Sequence, residues 1–301
     1  MIDKVVWDKE IPVPERLIEY VDQGVRNKLP PGTQVHGITR SGASYWARTA
    51  KIEATDMAGN STTFFMKVLQ SEQGRDIVLA EYEAMSLLYG LKPDMVVEPV
   101  AWGAYIEEPD TYFFLCRFYN FSEEEIPGSD DFPKLVAEFH GCSQSKGAKF
   151  GSPITMYGGR NPQTFPLCES WEECFSRGLD KIFDMEEQAQ GPDEEMRQLR
   201  EGLMTKVIPR LLRPLETEGR SVTPTLVHGD LWDGNVGIDA ATGRTLVFDA
   251  TPLYAHNEYE LGPWWPVRHQ MGRKYVEAYR RFYGASEPAQ DFEDRVQLYA
   301  M

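Results

Sequence analysis

The sequence is poor in positive charge. Against 47 Asp and Glu there are 31 Lys and Arg, a formal charge of −16. That deficit argues against nucleic acid or an anionic membrane as a partner, since both require a basic footprint. It suits a soluble acidic protein and is compatible with a cationic substrate drawn over a distance. Cysteine is scarce too. Cys116, Cys142, Cys168 and Cys174 lack metal-ligand spacing and are expected to be reduced thiols, with no bridge between Cys168 and Cys174. No apolar run approaches the ~20 residues of a membrane span. The start, Met1-Ile2-Asp3-Lys4-Val5, lacks a basic region followed by an apolar one. No secretory signal is therefore expected, and the expected location is cytoplasmic. With 42% hydrophobic residues over 301 positions, the chain can bury a large core in one or two domains.

What the sequence does carry is a phosphoryl-transfer signature. Val227-His228-Gly229-Asp230-Leu231-Trp232-Asp233-Gly234-Asn235 is followed by Val247-Phe248-Asp249-Ala250. Such chemistry needs a carboxylate to orient and deprotonate the attacking hydroxyl. It also needs an amide and a second carboxylate to hold Mg²⁺ against nucleotide phosphates. Asp230, Asn235 and Asp249 supply these groups in that order, at kinase catalytic-loop spacing, with Asp249 ending a short apolar strand. His228 is expected to brace the loop, since a second base is unnecessary.

Lys67, in Phe64-Phe65-Met66-Lys67-Val68-Leu69, is an ammonium within an apolar strand. That is costly unless the charge is paired, as in a phosphate-binding lysine. Of the acids on the following helix, Glu83 is preferred to Glu81 as its partner. The turn at residues 37–44 is neither a Walker A sequence nor a full G-x-G-x-x-G. It precedes Lys67 by two strands, so the N–H groups of Gly42, Ala43 and Ser44 are candidates to face phosphates. Residues 115–119, around Cys116 and Phe118, either offer backbone groups to an adenine ring where the two lobes meet or are plain core strand. Trp232 is a candidate to stack on a sugar, whereas Trp264 shares that option with the commoner fate of a core tryptophan. His256, Glu258 and Glu260 are expected beside the acceptor pocket, receiving a cationic amine, or else at a helix cap.

Periodicity predicts an amphipathic helix over residues 12–29, strands over 34–39, 45–53, 62–69, 96–102 and 111–117, and a helix over 74–90. Helices are then expected over 131–143, 171–188, 193–217 and 266–283, with another beginning at 292 that the chain end cuts short. The Gly- and Pro-rich loop at 147–166 is long enough to suggest a role. The fold class is α+β and two-lobed: an N-lobe over 1–118 with an antiparallel five-stranded sheet plus helix, and a mostly helical C-lobe over 119–301.

These residues resemble the fructosamine kinase (ketosamine-3-kinase) family. The resemblance rests on His228-Gly229-Asp230-Leu231-Trp232 through Asn235, Asp249-Ala250, His256-Asn257-Glu258-Tyr259-Glu260-Leu261, Lys67 with Glu83, and residues 149–171. Trp232 directly after His-Gly-Asp-Leu is the more specific element, and residues 254–262 look like the family's fungal members. Glu260 stands where the family usually has Asp. The resemblance implies a protein-kinase-like fold shared with aminoglycoside phosphotransferases, and ATP and Mg²⁺ as cofactors. It implies phosphorylation of the sugar 3-hydroxyl of ketosamines, leading to protein deglycation, with ribulosamine the expected better substrate than fructosamine. Partners would be glycated proteins or small ketosamines. Asp230 would be the base, Asn235 and Asp249 the metal ligands, and Lys67 the phosphate ligand oriented by Glu83. The alternatives are an aminoglycoside- or choline-type kinase, or an inactive nucleotide-binding relative.

Overall fold

The computed structural model describes residues 12–42, 44–122 and 125–301. It separates into two compact units. One comprises Met1–Phe121 with Gly159–Asn161 and Asp239–Thr242, and the other holds the rest.

The first unit is built on a five-stranded antiparallel sheet. Its strands are β1 (Gln34–Arg40), β2 (Arg48–Thr55), β3 (Ser61–Gln70), β4 (Pro99–Ala104) and β5 (Thr111–Arg117), in the order β1-β2-β3-β5-β4. β2 begins three residues later than expected because the Ser44 hydroxyl accepts the N–H groups of Trp46 and Ala47 and turns the chain first. A short helix, α1 (Gln23–Arg26), precedes the sheet. The helix expected over 12–29 is broken into a 3₁₀ turn, Glu15–Ile18, and α1. Asp22 breaks it. Its buried carboxylate accepts the N–H groups of Gly24 at 2.6 Å, Ile106 at 2.8 Å and Glu107 at 3.1 Å, which requires extended backbone at Asp22. The apolar residues that suggested a helix are buried nonetheless: Leu17, Ile18, Val21 and Val25 join Ile52, Phe64, Met66 and Phe113 in one core. Between β3 and β4 runs α2 (Glu72–Leu91), capped by the Ser71 hydroxyl, which buries Ile77, Val78, Glu81, Ala84, Met85 and Leu88.

The second unit is mostly helical. It contains α3 (Asp131–Cys142), α4 (Trp171–Gln190), α5 (Glu194–Gly202), α6 (Ile208–Leu212), α7 (Arg273–Tyr283) and α8 (Phe292–Tyr299). The run expected over 193–217 is helical but not uniform. Between α5 and α6 lies a π-turn, Leu203–Val207, and the run ends in 3₁₀ geometry at Arg213–Glu216. Pro209 lacks an N–H and Thr205 returns its hydroxyl to the Glu201 carbonyl at 2.7 Å, so the regular ladder is interrupted there. Likewise α7 starts at Arg273 rather than at Pro266, and an unexpected 3₁₀ run occupies Asn257–Trp264. The loop at 147–166 carries a small ribbon, β6 (Met156–Gly158) with β7 (Asn161–Gln163). Two further antiparallel pairs frame the signature segment: β8 (Thr225–Val227) with β11 (Leu253–Ala255), and β9 (Val236–Ile238) with β10 (Thr245–Val247). Among the described residues, no helix is long and apolar enough to cross a membrane.

Candidate active site

β8 ends at Val227 and the chain enters the segment 228–235, closed by a 3₁₀ turn at Asp233–Asn235. Gly229 makes the first bend at φ +85°, and a Cβ there would stand 2.1 Å from the Thr251 carbonyl oxygen, so only glycine fits. His228 is fully buried and braces the loop as expected. Its Nε2–H donates to the Phe248 carbonyl at 3.0 Å, and its Nδ1 accepts the Asp230 N–H at 3.3 Å. Burial pushes this imidazole below its ordinary pKa, which keeps it neutral. Trp264 is core: its Nε1–H donates to the Leu231 carbonyl at 2.7 Å, supporting the loop from beneath.

Asp230 and Asn235 come together. Asn235 is buried, and its Nδ2 donates to the Asp230 carbonyl at 2.8 Å and to its carboxylate at 2.9 Å. Burial, and next the Asp249 carboxylate, push the Asp230 pKa up to about 6, while the Asn235 hydrogen bond pulls the other way. Asp249 is exposed and adopts φ +59°, a conformation that non-glycine residues seldom hold. The preceding Phe248 N–H donates to the Asn235 carbonyl at 3.0 Å, which ties Asp249 to the loop. The Asp249 carboxylate and the Asn235 amide oxygen are hard ligands that suit Mg²⁺, an ion that completes its shell with phosphates and water. Among the described residues, no three His, Cys, Asp or Glu side chains converge as a closed cage. The residues present fit a metal shared with a nucleotide.

Trp232 is half-buried, with its ring 5.2 Å from that of His269. Asp233 anchors this neighbour: its carboxylate lies 3.2 Å from His269 Nδ1 and accepts the Gln270 N–H at 3.1 Å. His269 carried no signal in the sequence, where it fell inside the helix expected over 266–283; α7 in fact begins after it, at Arg273.

Three expected acceptor groups are instead framework. His256 is fully buried between the Tyr299 hydroxyl at 2.9 Å and the Ser286 hydroxyl at 2.8 Å. Burial lowers its pKa to about 4. Glu258, also fully buried, pairs with Arg295 of α8 at 2.6 and 3.0 Å and accepts the Ser286 N–H. Neither presents an atom to an acceptor. Glu260 turns inward beneath the loop, accepting the N–H groups of His228 and of Gly229, the latter at 3.0 Å. Burial raises its pKa, but the His140 hydrogen bond, the nearby imidazoles and the His228 amide outweigh this and hold the carboxyl below its ordinary value.

In the first unit, Lys67 Nζ lies 2.8 Å from both carboxylate oxygens of Glu81, with only 12% and 9% of the two side chains exposed. The partner is Glu81, not Glu83. Two positions along α2 place Glu83 on the exposed face. Cys116 is an interior strand residue opposite Phe65 of β3 and Pro99 of β4, so the core-strand alternative holds for it. Its thiol is pushed well up by burial and next by the nearby Glu81 carboxylate. The Phe118 N–H donates to the Thr63 carbonyl at 3.1 Å and is not available to a purine. Gly42 takes φ +82° in the β1–β2 turn, the Ser44 hydroxyl caps the same turn, and Ala43 lies outside the described residues.

The family model for fructosamine kinase matches residues 42–301. A mouse ketosamine-3-kinase is 32% identical over 154 residues, 51% of this chain and 46% of that protein. The chain thus aligns with about half the length of that curated relative. Among solved structures, a Thermobifida fusca protein assigned as a fructosamine-3-kinase superposes with a TM-score of 0.68 at 17% identity, covering 93% of this chain and 91% of that one. A thermostable mutant of the aminoglycoside phosphotransferase APH(4)-Ia, in a ternary complex with AMP-PNP and hygromycin B, superposes at 0.57 with 14% identity over 88% and 84%. These superpositions establish a fold shared with both kinds of phosphotransferase. The match over residues 42–301 goes further: the chain belongs to the fructosamine kinase family.

Proposed function

We propose that the protein is an ATP-dependent kinase of ketosamines. It transfers the γ-phosphoryl group to the sugar 3-hydroxyl of ribulosamine or fructosamine adducts on amines, which leads to protein deglycation. The observation that carries this reading is the Asp230–Asn235–Asp249 constellation on a loop held from below, in a chain of this family.

Asp230 is the base. Its raised pKa, near 6, leaves it ionised at neutral pH yet basic enough to accept the hydroxyl proton. The acceptor oxygen forms its bond to γ-phosphorus as the bond to ADP breaks, and the proton goes to the Asp230 carboxylate. Asn235 holds the Asp230 carboxylate in line through its 2.9 Å hydrogen bond. The Asn235 amide oxygen and Asp249 are the groups that hold Mg²⁺, which when bound neutralises phosphate charge. Lys67, its ammonium fixed by both oxygens of Glu81, binds nucleotide phosphate. Trp232, on the base's own loop, takes the sugar.

The test is ATP consumption with a ribulosamine-lysine adduct, a fructosamine-lysine adduct and an aminoglycoside, with Asp230→Asn as blank. Turnover that depends on either adduct and falls at least a hundredfold in Asp230→Asn is the expected result, on the usual contribution of a general base. Activity on the aminoglycoside alone would move the acceptor class. ATP binding without turnover of any acceptor would make the chain a nucleotide-binding relative.

A further inference from the structure

Beneath the base loop runs a buried polar chain that extends past Glu260 and takes no part in the reaction as described above. Asn257 Nδ2 donates to the Tyr279 hydroxyl at 3.0 Å. That hydroxyl lies 2.7 Å from His140 Nδ1, and His140 Nε2 lies 3.4 Å from Glu260 Oε2. Glu260 in turn accepts the N–H groups of His228 and Gly229, the two residues before Asp230. His140 and Glu260 are at most 1% exposed. Such burial is tolerable only when every donor finds an acceptor, and this sets the directions. Tyr279 accepts from Asn257, so its own proton goes to His140 Nδ1, which must then be a lone pair. The Nε2–H is left to donate to Glu260. Asn257 and Glu260 sit on one 3₁₀ run, His140 on α3 and Tyr279 on α7, so three separate segments converge on one carboxylate.

We propose that His140 is a positioning residue for phosphoryl transfer. It has no access to a substrate and acts only through Glu260, whose two oxygens fix the 228–229 backbone and hence the place of the Asp230 carboxylate. Without the imidazole donor, Glu260 keeps only its two amide partners and can swing between rotamers. A displacement near 1 Å at the base is enough to lower turnover about a hundredfold. Tyr279 fixes the tautomer that makes the donation to Glu260 the only one open.

This inference rests on the assignment of Asp230 as base, so its test has one readout that needs no substrate. His140→Leu removes the donor, whereas His140→Gln places an amide N–H where Nε2–H stands. In His140→Leu, kcat on a ketosamine should fall 10- to 100-fold, with KM for ATP and acceptor within twofold of wild type. Hydrogen exchange at the His228 and Gly229 amides should accelerate at least tenfold in the same variant. His140→Gln should restore most of both, and Tyr279→Phe, which leaves the imidazole in place, should show a smaller loss. Unchanged exchange and unchanged kcat in His140→Leu, or a loss of thermal stability alone, would overturn the proposal. So would a His140→Gln variant as impaired as His140→Leu in both readouts. If wild type turns over no ketosamine but the exchange pattern appears, the kinase reading fails while the positioning link stands.

Discussion

Replacing Glu81 should damage the first unit far more than replacing Glu83, although the two acids are nearly adjacent on α2. In Glu81→Ala, Lys67 Nζ loses two oxygens at 2.8 Å while remaining in a strand between Met66 and Val68, both fully buried. Removing one partner of a fully buried ion pair costs about 3–5 kcal/mol, while an exposed pair contributes about 1 kcal/mol or less. With 12% and 9% of the two side chains exposed, this pair belongs near the lower end of the buried range, about 3 kcal/mol. Glu83 is exposed, and Glu83→Ala should stay within about 0.5 kcal/mol of wild type. Urea unfolding followed by tryptophan fluorescence separates the two outcomes, because 3 kcal/mol moves the midpoint by roughly 1 M at an m-value near 3 kcal/mol/M. The double replacement Lys67→Met with Glu81→Leu should recover most of the loss, since an apolar pair fills the same space without charges to desolvate. It should not recover nucleotide affinity. Equal midpoints for Glu81→Ala and Glu83→Ala would refute the pairing and the role of Lys67 built on it.

Burial holds the His256 pKa at about 4 against an ordinary 6.5, so the unfolded chain binds the extra proton between those values. The stability contributed by the neutral imidazole is therefore complete above about pH 6.5 and lost as pH falls toward 4. That amounts to about 3 kcal/mol at 1.36 kcal/mol per unit, and the difference in pH slope between wild type and His256→Gln measures it; parallel slopes would contradict it. Gly229→Ala should abolish turnover, because its Cβ would meet the Thr251 carbonyl at 2.1 Å; wild-type rates in a folded variant would sink that argument. Glu258→Gln leaves Arg295 buried without a counter-charge and should cost about 3–5 kcal/mol. The KM of the folded fraction for acceptor should be unchanged, and a raised KM with unchanged stability would return Glu258 to the acceptor site.

Much of this was legible because short-range spacing governs it. Asp230 and Asn235 sit on one tight loop, and their separation along the chain nearly dictates that the amide meets the carboxylate. Sheet strands alternate, and the alternation places Lys67 on the face of β3 opposite Phe64, Met66 and Val68, where Glu81 of α2 meets it. The choice between Glu81 and Glu83 was legible too, from a different signal. Ile77, Glu81, Ala84, Met85 and Leu88 form one helical stripe, while Glu83 shares the outer face with Leu87, which is 45% exposed. The framework role of His256 and Glu258 was not legible. Their partners Ser286, Arg295 and Tyr299 come 28 to 43 residues later on other elements, and a fully buried charge pair looks in sequence like two solvated residues. The break at Asp22 had the same origin, since the N–H groups that its carboxylate takes from Ile106 and Glu107 come from a distant turn. Local pattern predicts which residues are buried better than it predicts the backbone path that buries them.

The proposed reaction directs the phosphoryl group to one particular hydroxyl of a ketosamine. The most direct measurement is phosphorus NMR, with mass spectrometry, of the product formed from ATP and a ribulosamine-lysine adduct. The expected product is a phosphate monoester at the sugar 3-oxygen, followed by the appearance of inorganic phosphate and free lysine amine as that ester eliminates. Phosphate on any other oxygen, or ATP converted to ADP while the adduct stays intact, would contradict it.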